Sequence, residues 1–253
     1  MGVAAVGGVD VGQRPKPLRV VIQFIAVLLE PVERVGQADS AAKFLIAGQQ
    51  VERERGSHGA LLLGAVGADG LMVLPAMVYA PTEAELVAHF RAVSEATSLP
   101  IMLYNNPPAY RVSVSIEAMR QLADRPNIVC LKESAPDTRR FTDLYNAISD
   151  RYILFAGLDD VALEGLILGA RGWVSGLTNA FPKESLALYD AVMRNDLDTA
   201  RAIYRWFMPL LHLDAEHDLV QSIKLAEQIM GRGNERVRPP RYPLTGARRA
   251  EVM

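Results

Sequence analysis

Two residues of this sequence, Lys132 and Tyr104, have the types and positions needed for chemistry on a carbonyl group. Lys132 ends the apolar run 128–132, where a charged side chain is out of place, and alternation puts Ile128, Cys130 and Lys132 on one face. A lysine that faces the interior of a barrel loses hydration, so its pKa falls and its neutral amine can attack a carbonyl carbon. A lysine that simply extends to water at the strand end is the alternative, and position alone does not separate the two.

Tyr104 ends the apolar run 101–104 and is followed at once by Asn105-Asn106-Pro107-Pro108. The prolines end the strand, which leaves Tyr104 at the C-terminal edge of the sheet, where α/β barrels hold their active-site side chains. Neighbouring parallel strands lie about 4.8 Å apart, so a tyrosine and a lysine that end adjacent strands can converge. A phenol beside an amine can relay protons; a half-buried tyrosine bonded to backbone is the alternative.

Strand and helix signals alternate from residue 66 onward. The apolar runs are 71–74, 101–104, 128–132, 152–156 and 172–176, and the helices between them are expected to begin at Thr82, Ser115, Asp137 and Asp160. Side-chain oxygens at these four positions can accept hydrogen bonds from the free amides of a first helical turn. The alternation predicts βαβ units and a parallel sheet, either a closed (β/α)₈ barrel or an open doubly wound sheet.

The pattern changes to helices alone after the fifth run. Helices are expected over residues 182–194, 197–212 and 216–230, followed by an extended tail rich in proline and arginine at 236–243. Tyr204, Phe207 and Leu211 recur at helical spacing, which is typical of a core or subunit contact. Asp159 and Asp160 are expected to cap the helix that follows them.

The first 65 residues do not continue the pattern backwards. They offer one strand, at 18–29, and one helix, at 40–54. Three further βα units would need about 80 to 90 residues, so the first units must be incomplete or altered. We therefore divide the chain into an atypical segment 1–65, barrel units at 66–181 and a helical extension at 182–253. A closed sheet with fewer strands is the least favoured alternative, because strand number, tilt and shear are linked.

Composition and charge argue against several kinds of binding partner, including nucleic acid, a membrane surface and a metal ion. The 253 residues carry 27 Lys and Arg against 29 Asp and Glu, a net charge of -2, which gives no electrostatic reason to expect nucleic acid or a membrane surface. One cysteine excludes a disulfide framework, and the four histidines lack metal-ligand spacing, so we expect no metal. The apolar run 20–29 is too short to span a bilayer and is disfavoured as a signal peptide, so the cytoplasm is the expected compartment.

Five segments in order resemble the dihydrodipicolinate synthase and N-acetylneuraminate lyase family of Schiff-base lyases. They are Ala68-Asp69-Gly70-Leu71-Met72-Val73-Leu74-Pro75, Tyr104-Asn105-Asn106-Pro107, Asn127-Ile128-Val129-Cys130-Leu131-Lys132-Glu133-Ser134, Ala156-Gly157-Leu158-Asp159 and Leu168-Gly169-Ala170-Arg171-Gly172-Trp173-Val174-Ser175. The resemblance runs from about residue 65 to 245. Several motifs in order are a more specific signal than a single glycine fingerprint.

The resemblance implies a (β/α)₈ TIM barrel with a C-terminal three-helix extension. Lys132 would form an imine with a small 2-oxo acid substrate, and Tyr104 would move protons. Gly157, Val174 and Gly176 match positions that line the oxo-acid pocket in this family. The resemblance implies no metal or organic cofactor, and it implies a homotetramer.

The sequence also departs from the family. The family's Gly-Thr-Thr-Gly-Glu loop, which holds the substrate carboxylate, is replaced by Gly64-Ala65-Val66-Gly67-Ala68. Met77-Val78 stands where the synthases carry a tyrosine pair, with a tyrosine only at Tyr79, and Ala109 stands where they carry an arginine, although Arg111 follows. These departures argue against the lysine-pathway synthase reaction itself.

Two interpretations remain open at this point. The segments 105–110 and 204–213 look most similar to members that deaminate a hydroxylated pyrroline carboxylate, so an aldolase, dehydratase or deaminase acting on a 2-oxo acid or cyclic imine is the leading one. The alternative is a catalytically inactive chain, truncated or frame-shifted within its first 65 residues, that acts at most as a noncatalytic oligomer. Such a chain would expose unpaired strand edges.

Overall fold

The computed structural model describes residues 44–47, 69–76 and 79–253 of the chain. Six strands within these residues form one sheet in which every neighbouring pair is parallel. The strands are β1 (Phe44–Ala47), β2 (Gly70–Val73), β3 (Ile101–Asn105), β4 (Ile128–Glu133), β5 (Ile153–Ala156) and β6 (Gly172–Trp173). Each strand lies beside the next one in sequence, which is the order of a (β/α)₈ barrel and not of a doubly wound sheet, whose order reverses.

Helices follow the described strands as the sequence predicts. They are α1 (Glu83–Glu95), the single turn α2 (Pro107–Tyr110), α3 (Ile116–Gln121), α4 (Arg139–Ile148) and α5 (Ala162–Ile167). Thr82 and Glu85 form the expected capping box, and the Ser115 side chain accepts the amide of Ala118. The last helix begins later than expected, because a 3₁₀ turn at Asp159–Val161 precedes α5.

The prediction of a helix at 40–54 is wrong for its central residues, because the backbone of Phe44–Ala47 forms β1 and pairs in parallel with β2. Four consecutive apolar residues do not distinguish a buried strand from a buried helix, and pairing with a neighbouring strand decided the outcome. The strand expected at 18–29 lies outside the described residues. So do the segments 64–68 and 77–78.

Side chains from five strands meet on the inner face of the sheet. They are Met72 and Leu74, Met102 and Tyr104, Cys130, Phe155, and Val174 just after β6. The opposite face packs Leu71, Leu103 and Leu131 against the helices, with Phe90 and Leu86 of α1 among the contacts. Ile128 also lies on that helix-facing side, contrary to the simple alternation, because the pairing of β3 with β4 shifts register between Ile101 and Met102. Cys130 and Lys132 keep the predicted face.

The helical extension contains α6 (Pro182–Met193), α7 (Leu197–Leu211), α8 (Leu219–Ile229) and α9 (Gly246–Val252). Three of these were expected, whereas α9 lies beyond the tail that was predicted to be extended. Tyr204, Phe207 and Leu211 are buried in a core shared with α5 and α6, which confirms their structural interpretation. Helix α9 is held in place through Arg248, which forms ion pairs with Glu216 and Asp218 just before α8.

No helix in residues 79–253 is both long and apolar enough to cross a lipid bilayer. One cluster there, Glu216, His217 and Asp218, has ligand atoms close enough to share a metal ion. Arg248 occupies both of its carboxylates, so the cluster works as a salt bridge between α9 and α8.

Candidate active site

Lys132 and Tyr104 lie side by side at the C-terminal ends of β4 and β3. The two residues are paired in register, and Phe155 of β5 is the partner of Lys132 on its other side. Lys132 is only 3% exposed, and its Nζ atom lies 4.1 Å from the centroid of the Tyr104 ring. The structure therefore brings the two residues together on the inner face, and Lys132 does not extend to water.

Burial lowers the pKa of the Lys132 amine to about 8, and the nearby carboxylates of Asp214 and Asp159 limit the shift by favouring the cation. Desolvation penalises an ammonium group because it loses the water that solvates its charge. A lysine in this state is partly neutral near physiological pH and can act as a nucleophile without a separate general base.

The Tyr104 hydroxyl is placed by its neighbours. The Asn106 side-chain amide donates to it at 2.8 Å. The side-chain oxygen of Asn106 accepts the backbone amide of Ala109, which fixes Asn106 as the cap of α2. Burial raises the pKa of Tyr104 to about 12, although the Asn106 amide and the nearby Ser134 hydroxyl oppose the shift. Tyr104 thus remains a neutral phenol that can donate its proton.

Sequence reasoning missed a second phenol, Tyr110, at the end of α2. Its ring meets that of Tyr104 edge to face, with centroids 5.7 Å apart. Burial raises the pKa of Tyr110 above its usual value, and a hydrogen bond with Tyr104 acts in the same direction. The two phenols form a chain from the inner face towards the loop that carries Tyr110. In the sequence, the only sign of this second phenol was its position six residues after Tyr104, beyond the two prolines.

A buried network on the other face of β3 and β4 holds the loop that carries Tyr110. The Glu133 carboxylate accepts the Asn105 side-chain amide at 2.7 Å and the Ala135 backbone amide at 2.8 Å, and it forms an ion pair with Arg140. Asn105 and Arg140 in turn bond both backbone groups of Val114. Because every member has its partners, the network fixes the ends of both strands relative to the loop.

The three positions expected to line the pocket lie around this pair. Gly157 directly follows β5, and a Cβ atom there would lie 2.7 Å from Cγ of Lys132 and 2.2 Å from Oγ of Ser134. Val174 is fully buried on the inner face beside Phe155. Gly176 lies against the Asp214 carboxylate of the helical extension. Gly157 thus leaves the space that the Lys132 chain fills.

Ser134 is a further polar group that the sequence analysis did not single out. It is fully buried, and its hydroxyl has no hydrogen-bond partner among the described residues. It lies against Gly157 and close enough to Tyr104 to lower the pKa of that phenol. A buried hydroxyl at this place is available to a group that enters the site.

Asp159 does not cap the helix after it, which corrects the prediction. It is fully buried, and its two oxygens accept the Trp173 indole, the Ser175 hydroxyl and the Leu177 amide, each at 2.9 Å. Burial raises its pKa well above the usual value, and the charge of Asp214 adds to the effect. Asp159 therefore ties the chain after β6 to the end of β5.

Asp214 was also missed, because it lies in the connection between two predicted helices of the extension. A 3₁₀ turn, His212–Asp214, carries it to the end of β6, where a Cβ atom on Gly176 would lie 2.1 Å from Oδ1 of Asp214. Burial raises the pKa of Asp214 to about 6, while the positive charge of Lys132 lowers it. The extension thus adds a carboxylate to the site.

Three other residues named in the sequence add no reactive group to this site. Cys130 is buried, and burial raises the pKa of its thiol to about 12, so it acts as a small apolar side chain. Arg111 is exposed and ends α2 through its backbone, and Tyr79 is 60% exposed beside Glu85.

Relatives of known assignment share much of this sequence. The chain is 40% identical over 146 residues to the 4-hydroxy-tetrahydrodipicolinate synthase of Exiguobacterium sibiricum, covering 58% of this chain and 50% of that protein. It is 30% identical over 191 residues to the synthase of Geotalea uraniireducens, covering 74% and 65%. The chain thus spans between half and two thirds of the length of these relatives.

Solved structures show the same architecture. The dihydrodipicolinate synthase of Thermotoga maritima superimposes with a TM-score of 0.76 at 26% identity, covering 83% of this chain and 72% of that one. The Aquifex aeolicus dihydrodipicolinate synthase gives a TM-score of 0.73 at 27% identity, covering 78% and 67%. The described strands and extension are therefore those of this barrel fold.

Gly157→Ala tests whether the site depends on the space beside Lys132. The new Cβ would overlap the lysine chain and Ser134, so we expect covalent capture of 2-oxo acids by Lys132 to fall by about tenfold or more while the protein still folds. Rates of borohydride capture, read by intact mass, and a thermal melt measure the two effects. Gly233→Ala, at an exposed glycine beside the flexible end of Glu227, is the matched control; equal capture rates for both variants would contradict the prediction.

The model of the dihydrodipicolinate synthetase family matches residues 54–253, and so starts earlier than the motifs in the sequence indicated. The match includes β2 to β6, both residues of the lysine and tyrosine pair, and the whole helical extension. The chain belongs to the dihydrodipicolinate synthetase family.

Proposed function

We propose that this chain is a Schiff-base-forming lyase in which Lys132 attacks a small 2-oxo acid or a cyclic imine carboxylate. The observation that carries the proposal is the Lys132 amine, buried on the inner face against the Tyr104 ring at 4.1 Å. Burial of an unneeded ammonium group would cost free energy, whereas a buried amine that becomes an imine gains a chemical role.

The reaction begins with attack of the neutral Lys132 Nζ on C2 of the 2-oxo acid. The carbonyl oxygen takes up two protons and leaves as water, which gives a protonated imine between Nζ and C2. This cation draws electrons from the adjacent bond, so loss of a proton or a carbon fragment at C3 gives an enamine. With a cyclic imine the same attack on C2 opens the ring, and the ring nitrogen becomes a free amine on the substrate tail.

Tyr104 is the proposed proton carrier for these steps. Its raised pKa keeps it protonated, and its oxygen accepts the Asn106 amide, so its own proton can pass to the substrate or to Tyr110. Tyr110 lies beside it in the same chain and extends the path. This second phenol supports a relay built within one subunit, in place of the tyrosine pair that the sequence lacks.

The proposed reaction differs from the one for which the relatives are named. They are 4-hydroxy-tetrahydrodipicolinate synthases, whereas Ala109 replaces the arginine expected of synthases and Arg111 is exposed. We propose a dehydratase or deaminase reaction, with a hydroxylated pyrroline carboxylate as the leading substrate. The similarity of residues 105–110 and 204–213 to such deaminases supports this choice.

A homotetramer in the cytoplasm, without nucleic acid, membrane, metal or organic cofactor as partner, is part of the same proposal. Exposed apolar side chains on the helical layer support an oligomer; they include Ile167, Leu186 and Trp206, the last 63% exposed. Apolar groups of this size on neighbouring helices are typical of subunit contacts.

Borohydride reduction in the presence of pyruvate tests the proposal directly. We expect one reduced adduct per chain, which peptide mapping places on Lys132, because its amine is the buried and partly neutral one. Lys132→Ala should lose the adduct, and Lys224→Ala, which removes a partly exposed lysine paired with Glu227, should keep it. A cooperatively melting wild-type protein that gives no adduct with pyruvate or other 2-oxo acids would leave the inactive alternative.

The pH dependence of capture provides a second test. Only the neutral amine attacks, so the initial rate should be low in acid and rise with an inflection near pH 8, the pKa to which burial lowers Lys132. The amine of N-acetyl-lysine in the same buffers is the control, with its inflection at about 10.4. An enzyme inflection above pH 10 would show that Lys132 is solvated and would contradict this site.

The role of Tyr104 is tested by exchange of the pyruvate methyl protons in D₂O, followed by NMR. Tyr104→Phe should slow exchange by about 10² to 10⁴, while the Lys132 adduct still forms, because imine formation and proton transfer at C3 are separate steps. Tyr145→Phe, on the exposed side of α4, is the matched control. Exchange at the wild-type rate in Tyr104→Phe would rule the phenol out as the proton carrier.

A further inference from the structure

A carboxylate from outside the barrel strands reaches the site. Asp214 belongs to the 3₁₀ turn between α7 and α8, yet its Oδ1 atom lies directly over Gly176 at the end of β6. A side chain at position 176 would overlap Asp214, and it would also meet Ile223 of α8. The glycine therefore leaves room for the extension to place an acid against the strand ends.

Contacts on both sides hold the turn that carries Asp214. His212 Nδ1 lies 2.9 Å from Oδ2 of Asp160, and the Tyr204 hydroxyl oxygen lies 2.6 Å from the Asp160 carbonyl oxygen and 2.9 Å from the Glu164 carboxylate. The backbone amide of Asp159 lies close enough to the Asp214 carboxylate to lower its pKa. Three links from one short segment after β5 make Asp214 a fixed part of the site and not the tip of a mobile loop.

Two acids therefore lie close enough to Lys132 to act on its charge. They are Asp159 and Asp214. Asp159 has its oxygens occupied by three protein donors, whereas the donor that lowers the pKa of the Asp214 carboxylate is the Asp159 amide. A carboxylate has about four acceptor positions, so Asp214 keeps capacity for a group on the substrate.

The sign of this charge restricts the substrate. A second carboxylate on the substrate tail would be repelled by Asp214 and Asp159, and repulsion is strong in a poorly solvated site. A hydroxyl or amine on the tail would instead donate a hydrogen bond to Asp214. The C1 carboxylate of the 2-oxo acid must then lie away from Gly176.

We propose that Asp214 is a specificity-determining residue, which selects 2-oxo acids or opened cyclic imines with a hydroxyl or amine on the tail and excludes those with a second carboxylate. This inference rests on the imine chemistry proposed for Lys132. It explains why the helical extension is built onto the mouth of the barrel at this point.

Borohydride capture with three probes tests it: 2-oxobutanoate, 4-hydroxy-2-oxobutanoate and 2-oxoglutarate. For the wild type, half-saturation should come at a concentration about tenfold lower for the hydroxy acid than for 2-oxobutanoate, with 2-oxoglutarate weakest. Asp214→Asn keeps the shape of the side chain and removes its charge. Relative to 2-oxobutanoate, it should remove the preference for the hydroxy acid and improve capture of 2-oxoglutarate by about tenfold. The comparison is made as ratios because loss of the Asp214 charge also lowers the pKa of Lys132, which changes capture of all three probes alike.

The opposite signs of these changes separate recognition from general damage, which would weaken all three probes together. Glu216→Gln, an exposed acid two residues further on that pairs with Arg248, should leave all three values unchanged. A wild type that does not prefer the hydroxy acid, or an Asp214→Asn variant with the wild-type order, would overturn the role of Asp214 while leaving Lys132 chemistry intact. Absence of any Lys132 adduct in the wild type would overturn both proposals.

Discussion

Burial of the Lys132 amine is the constraint on which the rest of the site depends. An ammonium group on the inner face would be costly without partners, so the surrounding strands must both desolvate it and limit that cost. Phe155, Cys130 and the Tyr104 ring supply the desolvation, while Asp214 and Asp159 supply negative charge. The balance leaves the Lys132 amine with a pKa of about 8, so part of it is neutral and can act as a nucleophile, while the two acids stabilise the part that is charged.

The acids that balance Lys132 need their own support, and this explains the polar groups around them. Asp159 is held by the Trp173 indole, the Ser175 hydroxyl and the Leu177 amide. These bonds join the ends of β5 and β6, so a group that tunes the lysine also fixes the geometry of the pocket. On the opposite face, the Glu133 network does the same for β3 and β4. Lys132 and Tyr104 thus lie between two buried carboxylates, Asp159 and Glu133, whose oxygens accept hydrogen bonds from the protein.

Much of this arrangement follows from local sequence. Apolar runs ending in Tyr104 and Lys132, with proline after the first, fix both residues at the strand ends, and five strands appear where they are expected. The caps at Thr82 and Ser115 are confirmed, whereas Asp137 and Asp160 are not the N-cap residues of the helices that follow them. What failed depended on contacts between distant segments. The register shift at Ile101 and Met102 moved Ile128 to the other face, and pairing with β2 made a strand of Phe44–Ala47. Asp159 was read as a helix cap because its three partners lie 14 to 18 residues further on.

Asp214 shows most clearly why the site could not be completed from the sequence. Its neighbours in the chain are helix ends, and nothing local distinguishes it from an exposed loop acid. Its position arises because α7 and α8 pack against α5 and the segment after β5, which brings the turn between them over Gly176. The strands therefore set the reactive group, whereas the extension sets the charge that a substrate meets. Because the Asp214 charge also raises the pKa of Lys132, a change in substrate preference made through the extension would, under our proposal, change the reactivity of the lysine as well.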